Sequence, residues 1–203
     1  MNDSLEKLEL ADFILELLPN AMLVQQPLGF YRFFLDTTEA NMAGTFVHLW
    51  MDDINFAKSP SPSIHAHTFD MQSTVLCGAI ENRIYTVEDK PNGSFLRVNV
   101  HYNNGEPFRE VTDVACEPTE QSRETIYSGG TYSFGSDIFH STHILEYPVL
   151  TFMRKNHILA RTVAKNIIDR KFEDREVGFF DPPEFDENSV REYTAGILNS
   201  LRD

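Results

Sequence analysis

The amino-acid sequence predicts a mainly β protein with a helix near each end. From Gly29 onward, short aromatic and β-branched runs alternate with turn-forming residues, as in a domain built from many short strands. The segments Pro91 to Gly93 and Asn103 to Gly105 both contain Asn-Gly, which is typical of β-hairpin turns. Apolar residues at helical spacing occur only towards the two ends. With 203 residues and 41% hydrophobic content, the chain can bury one core.

The first 28 residues are predicted to form an N-terminal helical segment. Apolar residues form an approximate helical stripe from Asp3 to Leu18. Asp3 or Ser4 can cap the start of this helix, and Pro19 closes it. We expect the helix to pack on the outside of the β-domain or on a second subunit.

Residues 29–155 are predicted to form the β-domain. A lone histidine in a strand, such as His48, is interpreted as a packed or surface residue. The predicted strands are Phe30 to Leu35, Thr45 to Trp50, Ser73 to Cys77, Ile80 to Val87, Phe95 to Tyr102, Phe108 to Cys116, Glu124 to Tyr127, Tyr132 to Phe134, Ile138 to Ile144 and Pro148 to Arg154.

Residues 156–203 are predicted to be a C-terminal extension. The stretch from Ala160 to Ile168 fits either a strand or a short helix. A helix is predicted from about Val190 to Leu201, with Asn188 or Ser189 as its cap. We expect this helix to serve packing or dimerisation.

Charge and cysteine content exclude several classes of function. The net charge of −14 argues against binding to nucleic acid or to anionic membrane surfaces, because both need clustered Lys and Arg. The sequence contains no run of about 18 apolar residues, so no membrane span is predicted. The acidic start MNDSLEKLEL lacks the features of a secretory signal, and the two cysteines are too few for a disulfide scaffold. These features predict a cytoplasmic protein.

The stretch from Pro60 to Gly78 contains the candidate chemistry. His65 and His67 lie two residues apart in a predicted strand, so their side chains point to the same side. Converging neutral imidazoles are a starting point for a transition-metal site. The spacing alone is also found in strand histidines that bind no metal.

From Ser63 to Gly78 the sequence resembles the first motif of the cupin superfamily. His65, His67 and Gly78 match that motif, whereas its glutamate position falls on Met71 or Gln72. The stretch GGTYSFGSDIFHSTH resembles the second cupin motif, with His140 as the ligand candidate. The resemblance implies a cupin-like double-stranded β-helix, or jelly-roll barrel, between the two helical ends.

With three histidines and no glutamate, the sequence resembles three-histidine cupin dioxygenases of the thiol dioxygenase type. That resemblance implies Fe(II) held by His65, His67 and His140, with zinc, manganese or nickel as other metals. It also implies an oxygenase that acts on a small organic substrate with O2. Gln72 is a candidate weak fourth ligand, although a regular strand from His67 would place it on the opposite face. Tyr85, Arg97, His101 and Tyr132 are the candidates for substrate binding or proton transfer.

Two other classes of function remain open from the sequence. One is a cupin that binds a ligand without turnover, and the other is a metal-free isomerase or epimerase that uses a histidine as base. An exposed sheet edge and terminal helices also make a homodimer possible.

Overall fold

The structure is a computed structural model that describes residues 3–26, 28–35, 44–52, 64–103, 106–158, 163–170 and 184–202. Within these ranges, helices stand near both ends of a chain that is otherwise mainly strand, and a 3-10 turn, Leu18–Asn20, follows the first helix. The elements are α1 (Asp3–Leu17), β1 (Met22–Gln26), β2 (Phe30–Phe34), β3 (Thr45–Trp50), β4 (His65–Ala66), β5 (Phe69–Asp89), β6 (Phe95–Asn103), β7 (Glu106–Tyr127), β8 (Thr131–Phe134), β9 (Phe139–Ile158), β10 (Val163–Asp169) and α2 (Glu187–Ser200).

The strands form an antiparallel sheet that closes on itself. In the order β9, β4, β10, β6, β7 and β5, each strand pairs with the next, and β5 pairs back to β9. The long strands β5 and β9 also continue into a second set of pairings, with β8 beside β5 and with β3, β2 and β1 beside β9. Closure protects the edges of the paired strands and creates an interior into which alternate side chains point.

The two helices pack together on the outer face of this sheet. Their buried side chains include Ile14 of α1 and Leu198 of α2. Val47 and Leu49 of β3 pack in one cluster with residues of both helices. Side chains alternate along a strand, so the residues between them point to the opposite face of the sheet. Burial of one strand face by the helices therefore leaves the opposite face to line the interior.

The predicted mainly β class with a helix at each end is confirmed. The predicted cap of α2 is wrong, because the side chain of Asp186 accepts a hydrogen bond from the Asn188 amide at 3.0 Å. The undecided stretch from Ala160 to Ile168 overlaps strand β10. β1 and β10 join the sheet although they lie outside residues 29–155. The predicted turn at Asn104 and Gly105 lies outside the described residues.

Gly78 lies where β5 passes from one set of strand pairings to the other. Its φ is +76°, and the register with β9 shifts on both sides of it. A Cβ at this position would lie within 2.5 Å of the backbone carbonyl oxygens of Pro148 and Glu146. Neither backbone oxygen can move without disturbing β9, so only glycine fits here.

Gly78→Ala should lower the free energy of unfolding by at least about 2 kcal/mol, through left-handed strain and the clash with β9. Gly196→Ala is the matched control, since no atom lies within 4 Å of a Cβ built there in α2. It should stabilise the protein by about 0.5–1 kcal/mol, the helix propensity difference. Urea unfolding of both variants measures the two effects. Equal stability of Gly78→Ala and wild type would contradict the conclusion that only glycine fits at this position.

No helix in the described part of the chain is long and apolar enough to span a membrane.

Candidate metal centre

Neighbouring strands bring the three predicted histidines together. β4 lies between β9 and β10, and His65 pairs directly with His140 across the antiparallel ladder. His67 follows β4, where its carbonyl oxygen accepts a hydrogen bond from the Asp137 amide at 2.9 Å. The two cupin-like sequence segments therefore meet through backbone pairing, which fixes the relative positions of their imidazoles.

The imidazoles of His65, His67 and His140 form one compact group. One potential ligand nitrogen from each lies within 4.8 Å of the others. The ring centroids are 4.9 Å apart for His65 and His67, 4.5 Å for His65 and His140, and 5.0 Å for His67 and His140. Nitrogen donors in a set of three fit zinc, iron, copper or nickel better than magnesium or calcium.

The surroundings keep two of these imidazoles, those of His67 and His140, neutral. Burial, followed by the neighbouring His65, lowers the pKa of His140 to about 3. Burial also lowers the pKa of His67 well below its usual value, and His65 and His140 add to the effect. A neutral imidazole has the lone pair that a metal needs, so His67 and His140 are ready to bind a cation near neutral pH.

The orientation of His140 is fixed by groups around its ring. Its Nδ1 lies 2.9 Å from the carbonyl oxygen of Ile138. Because a carbonyl oxygen only accepts, Nδ1 carries the proton and Nε2 has the free lone pair. The Phe134 ring stacks on His140 at 4.2 Å, and the Phe69 ring stacks on His67 at 4.7 Å. This arrangement selects one tautomer of His140 and limits access of water.

The structure does not bring Gln72 to the histidines. Strand β5 begins at Phe69, and the side chain of Met71 is buried whereas that of the next residue, Gln72, is exposed. The register shift between Asp70 and Met71 does not turn Gln72 inwards. Asp70 is occupied elsewhere, because its Oδ1 accepts a hydrogen bond from the Ser136 amide at 2.7 Å. Among the described residues, the group that can hold a metal contains histidines only.

Three of the four predicted substrate residues lie away from the histidines. Tyr85 Oη lies 3.1 Å from Ser141 Oγ, on the opposite face of β9 from His140. Arg97 forms an ion pair with Asp89 and donates a hydrogen bond to the carbonyl of Val87 at 3.1 Å. His101 lies 3.1 Å from a carboxylate oxygen of Glu110 near the surface. Tyr85 thus packs against a buried cluster that includes Phe139 and Ile167, whereas Arg97 and His101 are partly exposed on β6.

Tyr132 is the fourth candidate, and it lies on the inner side of the sheet. Its ring centroid is 5.4 Å from that of Phe134, which in turn stacks on His140. Burial raises the pKa of the Tyr132 hydroxyl. A phenylalanine ring thus separates this hydroxyl from the histidine group, so Tyr132 is placed to line the interior rather than to touch a bound metal.

Sequence reasoning missed a group of basic residues on the interior face. Arg32 Nε donates a hydrogen bond to His48 Nε2 at 3.1 Å, and Lys155 lies close enough to repel a proton on His48. Burial is the first cause of the low pKa of His48, with Arg32 and Lys155 adding to it. Strand alternation offered one signal, since Arg32 shares a face with Phe30 and Phe34 in an aromatic run.

No protein-family model matches the sequence, and no curated protein matches it. Solved structures do align with part of the chain. A variant of oxalate decarboxylase from Bacillus subtilis aligns with a TM-score of 0.36 and 13% identity over 69% of this chain and 28% of that one. Hydroxypropylphosphonic acid epoxidase from S. wedmorenis aligns with a TM-score of 0.39 and 9% identity over 68% of this chain and 56% of that one.

A third similar structure is the cupin domain of CENP-C from Drosophila melanogaster. It aligns with a TM-score of 0.36 and 12% identity over 67% of this chain and 75% of that domain. At these identities and TM-scores, the likeness concerns the fold of part of the chain and does not extend to activity. The chain spans well under two thirds of the decarboxylase and of the epoxidase.

Proposed function

We propose that this protein is an Fe(II)-dependent oxygenase that acts on a small organic substrate with O2. The observation that supports the proposal is the compact group of His65, His67 and His140, two of them held neutral by burial. Bound Fe(II) would supply the electron-transfer chemistry with O2 that protein side chains lack. The three imidazoles would hold the metal, since each offers one nitrogen to a common point.

The residues around the histidines have separate tasks in this proposal. The Ile138 carbonyl fixes the tautomer of His140, so that the same nitrogen always faces the metal. The ring of Phe134 stacks on His140, and the ring of Phe69 stacks on His67. An apolar cover of this kind excludes water and strengthens electrostatic interactions at the site.

The donor set leaves the metal to be decided by measurement. Zinc on three histidines would imply hydrolysis or hydration, because zinc has no redox chemistry. We therefore choose a test in which metal identity and O2 consumption are read separately.

Protein purified anaerobically without an affinity tag should contain close to one iron per chain by elemental analysis. The iron-loaded protein should consume O2 when small thiols and small organic acids are added in turn. Zinc-loaded protein is the matched control and should consume none, because zinc does not change oxidation state. Stoichiometric zinc in the purified protein, with no O2 consumption after iron loading, would contradict the oxygenase proposal. Absence of any metal, with none taken up, would favour a binding protein or a metal-free isomerase.

A further inference from the structure

Two basic side chains meet in an aromatic pocket beside the candidate metal centre. The Nζ atom of Lys155 lies 4.4 Å from the ring centroid of Phe69 and 4.9 Å from that of Phe46. The guanidinium carbon of Arg32 lies 5.4 Å from the same Phe46 ring. Both cations therefore contact the ring of Phe46.

The pocket adjoins the histidine group through one ring. Phe69 stacks on His67 at 4.7 Å and also contacts Lys155. The positive charges of Arg32 and Lys155 both help to lower the pKa of His67, after the larger effects of burial and of the other two histidines. A molecule that reaches the metal can thus have one end close to these two cations.

The charge of Lys155 has no anionic partner in the described part of the chain. No carboxylate oxygen among those residues forms an ion pair with Lys155. The adjacent His48 is neutral, so it adds no charge beside Lys155. Burial, followed by the charge of Arg32, lowers the pKa of Lys155 to about 8. A largely buried ammonium group without a counter-ion is costly, and an anion beside Lys155 would relieve this cost.

A buried hydroxyl adds a second, independent observation. Thr151 pairs with His48 across β3 and β9, so its side chain lies on the same interior face. Thr151 is 0% exposed, and its Oγ1 has no hydrogen-bond partner among the described residues. A buried polar atom without a partner is costly unless a ligand or water satisfies it.

We propose that Lys155 and Arg32 form a carboxylate-binding subsite, and that the substrate class is a small organic acid with an apolar body. That the bound acid is a substrate rests on the proposed oxygenase function. That the subsite binds an anion does not rest on it. The carboxylate would accept hydrogen bonds from Lys155 and Arg32, and the rings of Phe46 and Phe69 would contact the hydrocarbon part. Arg97, the candidate from the sequence, is instead engaged with Asp89.

The test is a titration of the metal-free full chain with acetate, hexanoate and benzoate, each compared with its neutral amide by calorimetry. At least one acid should bind at least about tenfold more tightly than its amide, and Lys155→Met should remove that preference. Lys165→Met is the matched control, because Lys165 is exposed on β10 and should leave binding unchanged. Thermal unfolding checks that the variants fold.

Equal binding of acids and amides by the wild type would overturn the subsite, and this comparison needs no variant. An acid preference that survives in folded Lys155→Met would overturn it as well. No binding of any acid up to roughly 10 mM would have the same consequence. The titration uses metal-free protein, so anion binding can be observed even if the oxygenase proposal is wrong. Conversely, iron-dependent O2 consumption can be observed even if the subsite does not exist.

Discussion

His140→Ala should reduce the metal content of the purified protein from near stoichiometric to background. His140 is 3% exposed, and one of its ring nitrogens lies within 4.8 Å of a nitrogen of His65 and of His67. Loss of an outer hydrogen bond to a metal ligand costs about 10- to 100-fold in affinity, so loss of the ligand itself should cost more. Elemental analysis after dialysis, with a titration of added metal, measures the effect. The same change at His65 or His67 should give the same result.

His143→Ala provides the matched control on the same strand. His143 Nε2 lies 3.1 Å from Ser141 Oγ, on the face of β9 opposite His140. This variant removes an imidazole three residues away and should retain the metal. Circular dichroism should show that both variants keep their strand content. Stoichiometric metal in folded His140→Ala would rule out the three-histidine assignment.

The strands and the two-histidine spacing could be predicted because they depend on local pattern. The aromatic and β-branched run from Thr45 to Trp50 and the Asn-Gly pair at Asn92 are properties of neighbouring residues, and the structure has a strand and a turn there. Gly78 matches the first cupin motif, but its positive φ and its close approach to the carbonyls of β9 depend on the fold and not on neighbouring residues. The meeting of His140 with His65 followed from a family resemblance, because spacing alone says nothing about distant pairs.

The interior pocket could not be predicted because it depends on register between distant strands. Arg32 on β2 and Lys155 near the end of β9 meet only after β3 has paired with both strands. The sequence offers Arg97 as a candidate for substrate binding, but the partner of Arg97 is Asp89 of β5, a different strand. The partner of a charge is thus set by strand order, which one sequence does not reveal.

The metal-free protein should lose stability steeply as the pH falls below about 6.5. Burial lowers the pKa of His48, His67 and His140 in the folded state, so these groups stay neutral there while they become protonated in the unfolded chain. Above pH 6.5 they are neutral in both states and contribute no pH dependence. Below it the unfolded state binds more protons, and stability decreases with decreasing pH. Each group contributes up to about 1.4 kcal/mol per pH unit, or roughly 4 kcal/mol per pH unit for all three.

Urea unfolding at pH 7, 6 and 5 measures this slope, and His48→Gln separates one histidine from the rest. Glutamine can still accept the hydrogen bond from Arg32 but cannot take up a proton, so the variant should reduce the slope by up to about 1.4 kcal/mol per pH unit. A flat stability profile between pH 7 and 5 would contradict the neutral, buried state of these imidazoles. Added metal should raise the stability at each pH and leave the slope from His67 and His140 unchanged, because these histidines carry no proton in the folded state with or without metal.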